Sequence, residues 1–205
     1  MIKNIIFDLG DVIINIDVPR AAQSFAVLAN ISVEKSTQII QENEVFRKFE
    51  SGILNEDSFR NYIRTIFENP DWTDETIDEA WNSLLLDIPK ERIKLIQRLK
   101  TNYRLFLLSN TSPIHVKATN QILENTTGVA ELDDLFEHLF LSYKMEVMKP
   151  DRQIFEMVLS QADIKAEETL FLDDNADNVR ASLEMGIQTI HVPKPVSIVE
   201  LLEGY

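Results

Sequence analysis

Apolar and polar residues alternate along the chain in blocks that predict strands separated by helices. Short apolar runs rich in branched residues and bounded by polar ones are typical of buried strands. Stretches with apolar residues three or four positions apart, such as "PKERIKLIQRLK", predict helices that bury one face. The predicted strands are residues 4–7, 103–108, 138–143, 170–172 and 189–192. This alternation predicts an α/β fold of the Rossmann-like, doubly wound type, with a parallel sheet covered by helices on both faces.

Residues 16–88 show a different pattern, with helical segments and no convincing strand. Within this stretch we expect Ser32, Asn55 and Asp74 to cap helices, because their side chains accept hydrogen bonds from free backbone amides. The stretch is too long for a loop in a compact domain. We therefore predict a Rossmann-like core formed by residues 1–15 and 89–205, and an inserted helical cap at 16–88. Such an insert would stand as a lid over the crevice where parallel sheets bind ligands.

Polar residues occupy the carboxyl ends of the predicted strands, which meet at one edge of a parallel sheet. These residues are Asp8, Ser109 and Asn110, Lys149, and Asp173 and Asp174. Three carboxylates in one crevice repel each other unless a cation is present. Lys149 offers one positive charge, and a hard divalent ion with oxygen ligands, Mg²⁺, would supply the rest.

Composition and charge narrow the range of partners. The 205 residues carry a formal net charge of -14, which opposes binding to nucleic acid or to an anionic membrane. No apolar run approaches the ~20 residues that span a bilayer. The absence of cysteine excludes disulfides, thiolate metal sites and cysteine nucleophiles. Because Met1 leads directly into the first predicted strand, we expect no signal peptide. A reducing cytoplasm is the simplest location for a chain without cysteine, and we expect a monomer or homodimer.

Four segments at the strand ends resemble the four motifs of the haloacid dehalogenase-like (HAD) hydrolase superfamily. In chain order they are "FDLGDV", "LLSN", "MKPDRQIF" and "FLDDNADNVRAS". The segment "FESGILNEDSF" resembles the cap sequence of members with a small helical cap. The resemblance covers nearly the whole chain, and within the superfamily the chain is most similar to the bacterial α-glucose-1-phosphate phosphatase type.

This resemblance implies a Mg²⁺-dependent phosphatase that acts on a small phosphorylated metabolite, a sugar phosphate such as a sugar-1-phosphate. Asp8 would attack phosphorus and form an aspartyl-phosphate, which water then hydrolyses. Lys149 would stabilise charge on the transferring group and hold Asp8 ionised. The other implied roles are Mg²⁺ binding by Asp8, Asp174 and the Gly10 carbonyl, phosphate binding by Ser109, Asn110 and Lys149, and support of the metal surroundings by Asp173 and Asn178.

Gly10 departs from the motif of most phosphatases in this superfamily. They carry at this position a second aspartate, which acts as general acid and base. Asp11 comes one residue later. Because side chains alternate in direction along a strand, we expect Asp11 to point elsewhere unless the strand has already ended.

Three other functions fit part of the pattern. A dehalogenase in which Asp8 attacks carbon needs no metal, but Asp173 and Asp174 would then repel each other beside the nucleophile. A signalling domain phosphorylated on Asp8 would resemble receiver domains, which are shorter and have no cap. A catalytically weak or inactive relative that binds a phosphate ligand fits the glycine at position 10. Turnover of an aryl phosphate with and without Mg²⁺ separates the enzyme from the last two.

The glycine at position 10 predicts a dependence of the rate on the leaving group. Proton transfer from a placed side chain is worth ~10²- to 10⁴-fold in rate, and leaving groups that are stable as anions lose least without it. If no other residue supplies the proton, kcat/KM should be higher for glucose-1-phosphate than for glucose-6-phosphate, and Gly10→Asp should narrow the difference. Equal or better hydrolysis of the 6-phosphate by the wild type would show that another residue supplies the proton.

Overall fold

A five-stranded parallel sheet forms the centre of the chain, whose residues 1–205 are all described in a computed structural model. The strand order is β3-β2-β1-β4-β5, so the first strand is central, and every neighbouring pair is parallel. The predicted Rossmann-like α/β fold is confirmed. The strands are β1 (Asn4–Phe7), β2 (Arg104–Ser109), β3 (His138–Leu141), β4 (Thr169–Asp173) and β5 (Gln188–His191).

The central strand β1 is buried on both faces, as its continuous apolar run predicts. Ile5 and Phe7 belong to one apolar cluster, and Ile6 belongs to another on the opposite face. In the parallel register, Phe7 pairs with Leu107 of β2 and with Leu172 of β4. Full burial of such a side chain contributes about 1.5–3 kcal/mol, so the three strands are held in one register by their apolar faces as well as by hydrogen bonds.

Helices cover both faces of the sheet and also form a separate layer beyond it. No helix is both long enough and apolar enough to cross a bilayer. The helices are α1 (Pro19–Ala29), α2 (Val33–Glu42), α3 (Val45–Glu50), α4 (Glu56–Ile66), α5 (Asp74–Asn82), α6 (Lys90–Leu99), α7 (Pro113–Thr127), α8 (Ser142–Met145), α9 (Arg152–Gln161), α10 (Ala176–Glu184) and α11 (Ile198–Leu201). Apolar residues of α6 share the cluster of Ile5, and those of α9 share the cluster of Ile6.

Helices α1 to α5 form a continuous helical segment, residues 19–82, with an aromatic core of its own. Phe49 of α3 stacks on Phe59 of α4 with ring centroids 4.0 Å apart, and Trp81 of α5 packs against Phe59 at 4.8 Å. All three side chains are fully buried. Because this cluster contains only one residue from outside the segment, Ile114 of α7, the segment is stabilised mainly by its own contacts.

Two of the three N-cap residues predicted for this segment are confirmed. Ser32 accepts a hydrogen bond from an amide of α2, and Asn55 accepts one from an amide of α4, as predicted. At α5 the prediction of Asp74 is wrong, because Thr73 accepts the bond from the amide of Thr76. Thr73 has the extended backbone of a capping residue, whereas Asp74 is already the first helical residue.

The chain enters and leaves the helical segment side by side. The amide of Asn15 donates to the carbonyl of Asp87, and the amide of Leu86 donates to the carbonyl of Asn15, both at 2.9 Å. The amide of Asp17 donates to the carbonyl of Leu84 at the same distance. The two connections therefore form a short antiparallel pair between the sheet and the helical segment.

A second contact between the two parts depends on Gly52, and we predict its cost from a matched pair of glycines. Gly52 and Gly128 have φ of 78° and 79°, so alanine at either position carries the left-handed penalty of about 1–2 kcal/mol. A Cβ at Gly52 would lie 2.5 Å from the carbonyl oxygen of Tyr143, whereas one at Gly128 meets nothing within 4 Å. Gly52→Ala should therefore lower the free energy of unfolding by about 1–3 kcal/mol more than Gly128→Ala, measured by urea denaturation. Equal losses in the two variants would contradict the close contact.

Candidate active site

Lys149 joins the ends of three strands through its ammonium group. Its Nζ donates to Oδ1 of Asp8 at 2.6 Å, to Oδ2 of Asp173 at 2.7 Å and to the carbonyl oxygen of Leu108 at 3.0 Å. The side chain of Lys149 is 2% exposed, and those of Asp8 and Asp173 are 10% and 0% exposed. A buried charge is tolerated only when it is paired, and here one ammonium is shared by two carboxylates.

The strand order explains why Asp8 and Asp173 meet. Asp8 directly follows β1, and its amide donates to the carbonyl of Leu172 in the neighbouring strand β4 at 2.9 Å. Asp173 is the last residue of β4, so the two carboxylates leave adjacent parallel strands at the same level. Parallel register thus brings together two residues that are far apart in the sequence.

Asp173 is held in position by groups at the start of α10. The amide of Asn175 donates to its Oδ1 at 2.8 Å, and Nδ2 of Asn178 lies 3.0 and 3.1 Å from its two oxygens. Asp173 therefore accepts bonds from the backbone, an amide side chain and Lys149. This arrangement fixes the carboxylate that positions the ammonium next to Asp8.

Three carboxylates, those of Asp8, Asp173 and Asp174, lie close to the single ammonium of Lys149. Burial raises the pKa of Asp8, Lys149 opposes that shift, and the carboxylate of Asp173 adds to it. Burial followed by the charge of Asp173 also raises the pKa of Asp174. Burial alone would lower the pKa of Lys149, but Asp8 and Asp173 together outweigh it and the pKa is raised. The carboxylates thus favour an additional positive charge.

The donor atoms present fit a hard divalent cation. Asp8, Asp173 and Asp174 each offer one carboxylate oxygen, and these oxygens all lie within 4.8 Å of one another. Oxygen-only ligands at such spacing suit Mg²⁺. Both oxygens of Asp173 already accept hydrogen bonds, which leaves Asp8 and Asp174 as the freer carboxylates. The contribution of the Gly10 carbonyl stays a prediction.

Ser109 and Asn110 lie at the carboxyl end of β2, as predicted. Asn110 also has a structural role. Nδ2 of Asn110 donates to the carbonyl of Lys149 at 2.8 Å, and its Oδ1 accepts from the amide of Lys149 at 2.9 Å. This double hydrogen bond positions the backbone of Lys149. Nδ2 of Asn110 carries a second hydrogen that this double bond does not use. Phosphate binding by both residues stays a prediction.

Gly10 and Asp11 form the turn that follows β1. A Cβ at Gly10 would lie 2.9 Å from Cδ1 of Ile16, so a side chain there displaces that flexible group. Asp11 has φ of 57°, and its Oδ1 accepts from the amide of Ile16 at 3.0 Å and from Nζ of Lys194 at 2.8 Å. The carboxylate of Asp11 is thus occupied by the turn itself and by Lys194.

A cavity of about 230 Å³ lies between the strand ends and the helical segment. From the sheet side it is lined by Gly10, Ser109 and Asn110, and from the helical side by Phe46 and Glu50. Glu50 is absent from the residues predicted from the sequence. The only sequence signal for it is a carboxylate two residues before the glycine of "FESG".

The predicted site residues are therefore gathered in one region. Asp8, Lys149, Asp173, Asp174 and Asn178 form a single polar cluster. Gly10, Ser109 and Asn110 line the adjoining cavity.

Comparison with known proteins places this geometry among hydrolases. The family profile described as "haloacid dehalogenase-like hydrolase" matches residues 2–186. The D-ribitol-5-phosphate phosphatase of Bacteroides thetaiotaomicron is 31% identical over 189 residues, which cover 92% of this chain and 91% of that protein. The glyceraldehyde 3-phosphate phosphatase of Pyrococcus abyssi is 25% identical and covers 93% of this chain and 81% of its own.

A solved structure shows the same arrangement of elements over nearly the full length. It is a HAD family enzyme from Bacteroides thetaiotaomicron in complex with magnesium and inorganic phosphate. Its TM-score is 0.88 at 33% sequence identity, and the match covers 98% of this chain and 99% of that chain.

Proposed function

This chain belongs to the haloacid dehalogenase-like hydrolase family, and from that premise we propose that it is a Mg²⁺-dependent phosphatase of a small sugar or sugar-alcohol phosphate. The observation that carries the proposal is the ammonium of Lys149 held between Asp8 and Asp173, with Asp174 beside them. A carboxylate nucleophile paired with a fixed cation suits attack on an anionic phosphate ester.

Asp8 is the nucleophile of the proposed reaction. An oxygen of its carboxylate forms a bond to phosphorus while the ester oxygen leaves, and water then attacks the aspartyl-phosphate and restores the carboxylate. Lys149 stabilises the charge on the transferring group, and Asp173 with Asn178 holds Lys149 in place. Asp8, Asp174 and the Gly10 carbonyl would hold Mg²⁺, which would neutralise charge on the phosphate.

Cavity size and relatives both support a small substrate. A volume of about 230 Å³ leaves room for a phosphate and a short carbon chain rather than for a large ligand. The names of two relatives refer to phosphates of a pentitol and a triose. The sugar-1-phosphate predicted from the sequence is likewise a phosphate ester of a small polyhydroxylated molecule. We infer that the helical segment acts as the cap that selects the substrate.

One other function is favoured by a specific observation. The glycine at position 10 fits a catalytically weak relative that binds a phosphate ligand without turning it over. A dehalogenase is disfavoured, because three crowded carboxylates serve no purpose in a reaction without a metal. Release of p-nitrophenol from p-nitrophenyl phosphate decides between the phosphatase and the binding protein.

Activity should require a divalent cation, because one lysine cannot balance the three carboxylates. Hydrolysis of p-nitrophenyl phosphate should vanish in EDTA and return when Mg²⁺ is added in excess. A parallel thermal unfolding curve in EDTA controls for loss of the fold. Full activity in the chelator would contradict the metal assignment.

Asp8→Asn should abolish turnover while the protein stays folded, because it removes the nucleophile and keeps the shape of the side chain. We expect kcat for p-nitrophenyl phosphate to fall by about 10⁴-fold or more. Asp177→Asn is the matched control, since Asp177 is exposed, pairs with Arg180 and lies outside the carboxylate cluster. Similar losses in both variants, with unchanged circular dichroism, would refute the role of Asp8.

A further inference from the structure

Glu50 is a carboxyl group that the fold brings to the site without engaging it. It is the last residue of α3, it is half-buried, and it lines the cavity shared with Gly10 and Ser109. Its backbone carbonyl accepts a hydrogen bond, but its carboxyl oxygens make no hydrogen bond or ion pair within the protein. A carboxyl group without a partner on the wall of a reaction cavity is available to a substrate.

The position of Glu50 is fixed by the loops that follow β2 and β3. Oγ of Ser142 donates to the carbonyl of Glu50 at 2.6 Å and accepts from the amide of Thr111 at 3.0 Å. Gly52 brings the next turn against the carbonyl of Tyr143. Helix α3 therefore ends on the same edge of the sheet that carries Asp8.

The charges around Glu50 favour its protonated form. Burial, followed by the nearby carboxylate of Asp8, raises the pKa of Glu50 to about 8, whereas the charge of Lys149 opposes the shift. His115 lines the same cavity, but burial lowers its pKa to about 4, and it stacks on Trp81. At neutral pH, Glu50 is thus the group on the cavity wall that holds a transferable proton.

We propose that Glu50 supplies the general acid and base that position 10 lacks. The inference rests on the proposed phosphatase function. As the bond between Asp8 and phosphorus forms and the ester bond breaks, the Glu50 proton passes to the leaving oxygen and gives the alcohol. In the second half of the reaction, the hydrolysis of the aspartyl-phosphate, water forms a bond to phosphorus and the bond to Asp8 breaks. Glu50 takes a proton from that water and is protonated again.

This role changes the expectation drawn from Gly10 alone. If Glu50 protonates the leaving group, the wild type hydrolyses primary-alcohol esters such as glucose-6-phosphate efficiently. The preference for glucose-1-phosphate then becomes large only when Glu50 is removed.

The test is Glu50→Gln, which keeps the size of the side chain and removes its acid. For glucose-6-phosphate, kcat/KM should fall by about 10²- to 10⁴-fold, because alkoxide departure needs the proton. For p-nitrophenyl phosphate, kcat/KM should stay within a few-fold of wild type, since it reports only the first half of the reaction. Hydrolysis of the aspartyl-phosphate loses its base, so a burst of p-nitrophenol should precede a slower steady state.

Two further variants complete the experiment. Glu44→Gln, before the start of α3 and outside the cavity, is the matched control and should behave as wild type. Glu50→Asp retains a carboxyl group and should recover part of the activity with glucose-6-phosphate.

The outcomes separate this inference from the proposed function. An equal loss of kcat/KM with both substrates in Glu50→Gln, or no loss with either, overturns the role of Glu50 while the phosphatase assignment stands. A wild type that hydrolyses no phosphate ester in the presence of Mg²⁺ overturns the phosphatase assignment itself.

Discussion

The contact of Lys149 with Asp8 and Asp173 is the interaction on which the rest of the site depends. A buried ammonium between two carboxylates is stable only if all three groups are held in place, and the neighbouring residues do this from several sides. Asn110 binds the backbone of Lys149 on both its donor and its acceptor, and Asn178 holds both oxygens of Asp173. Residues that look like ligands in the sequence thus act partly as supports for one charged pair.

The helical segment and the sheet contribute different chemistry to the same cavity. The sheet edge carries Asp8, the proposed nucleophile, and the ammonium of Lys149 bonded to it, in a chain with a formal net charge of -14. The helical segment sets the volume beside them and adds the carboxyl group of Glu50. The carboxylate of Asp8 raises the pKa of Glu50, which favours the protonated form that the proposed role of Glu50 requires.

Much of this architecture follows from local patterns in the sequence. The apolar runs predict every strand to within two residues, and parallel strands that end in carboxylates predict the cluster of Asp8 and Asp173. What local patterns miss depends on contacts between distant residues. Ser142 meets the backbone of Glu50, 92 positions away, and Asn110 bonds to the backbone of Lys149, 39 positions away. At Thr73 and Asp74, both residues are able to cap a helix, and only the backbone conformation decides between them.

The paired connections of the helical segment have a consequence for how such proteins diversify. Because the stretch at Asn15 and Asp17 lies beside the stretch at Leu84 and Asp87, the chain enters and leaves the helical segment at one point. Exchanging everything beyond that point alters neither the spacing of the strands nor the charged pair at their ends. Doubling the length of an insert costs only about 0.6 kcal/mol of closure entropy. Replacing the segment as a module therefore changes the pocket beside the sheet and removes the carboxyl group of Glu50, while the charged pair at the sheet edge remains. A replacement module would have to bring its own proton donor.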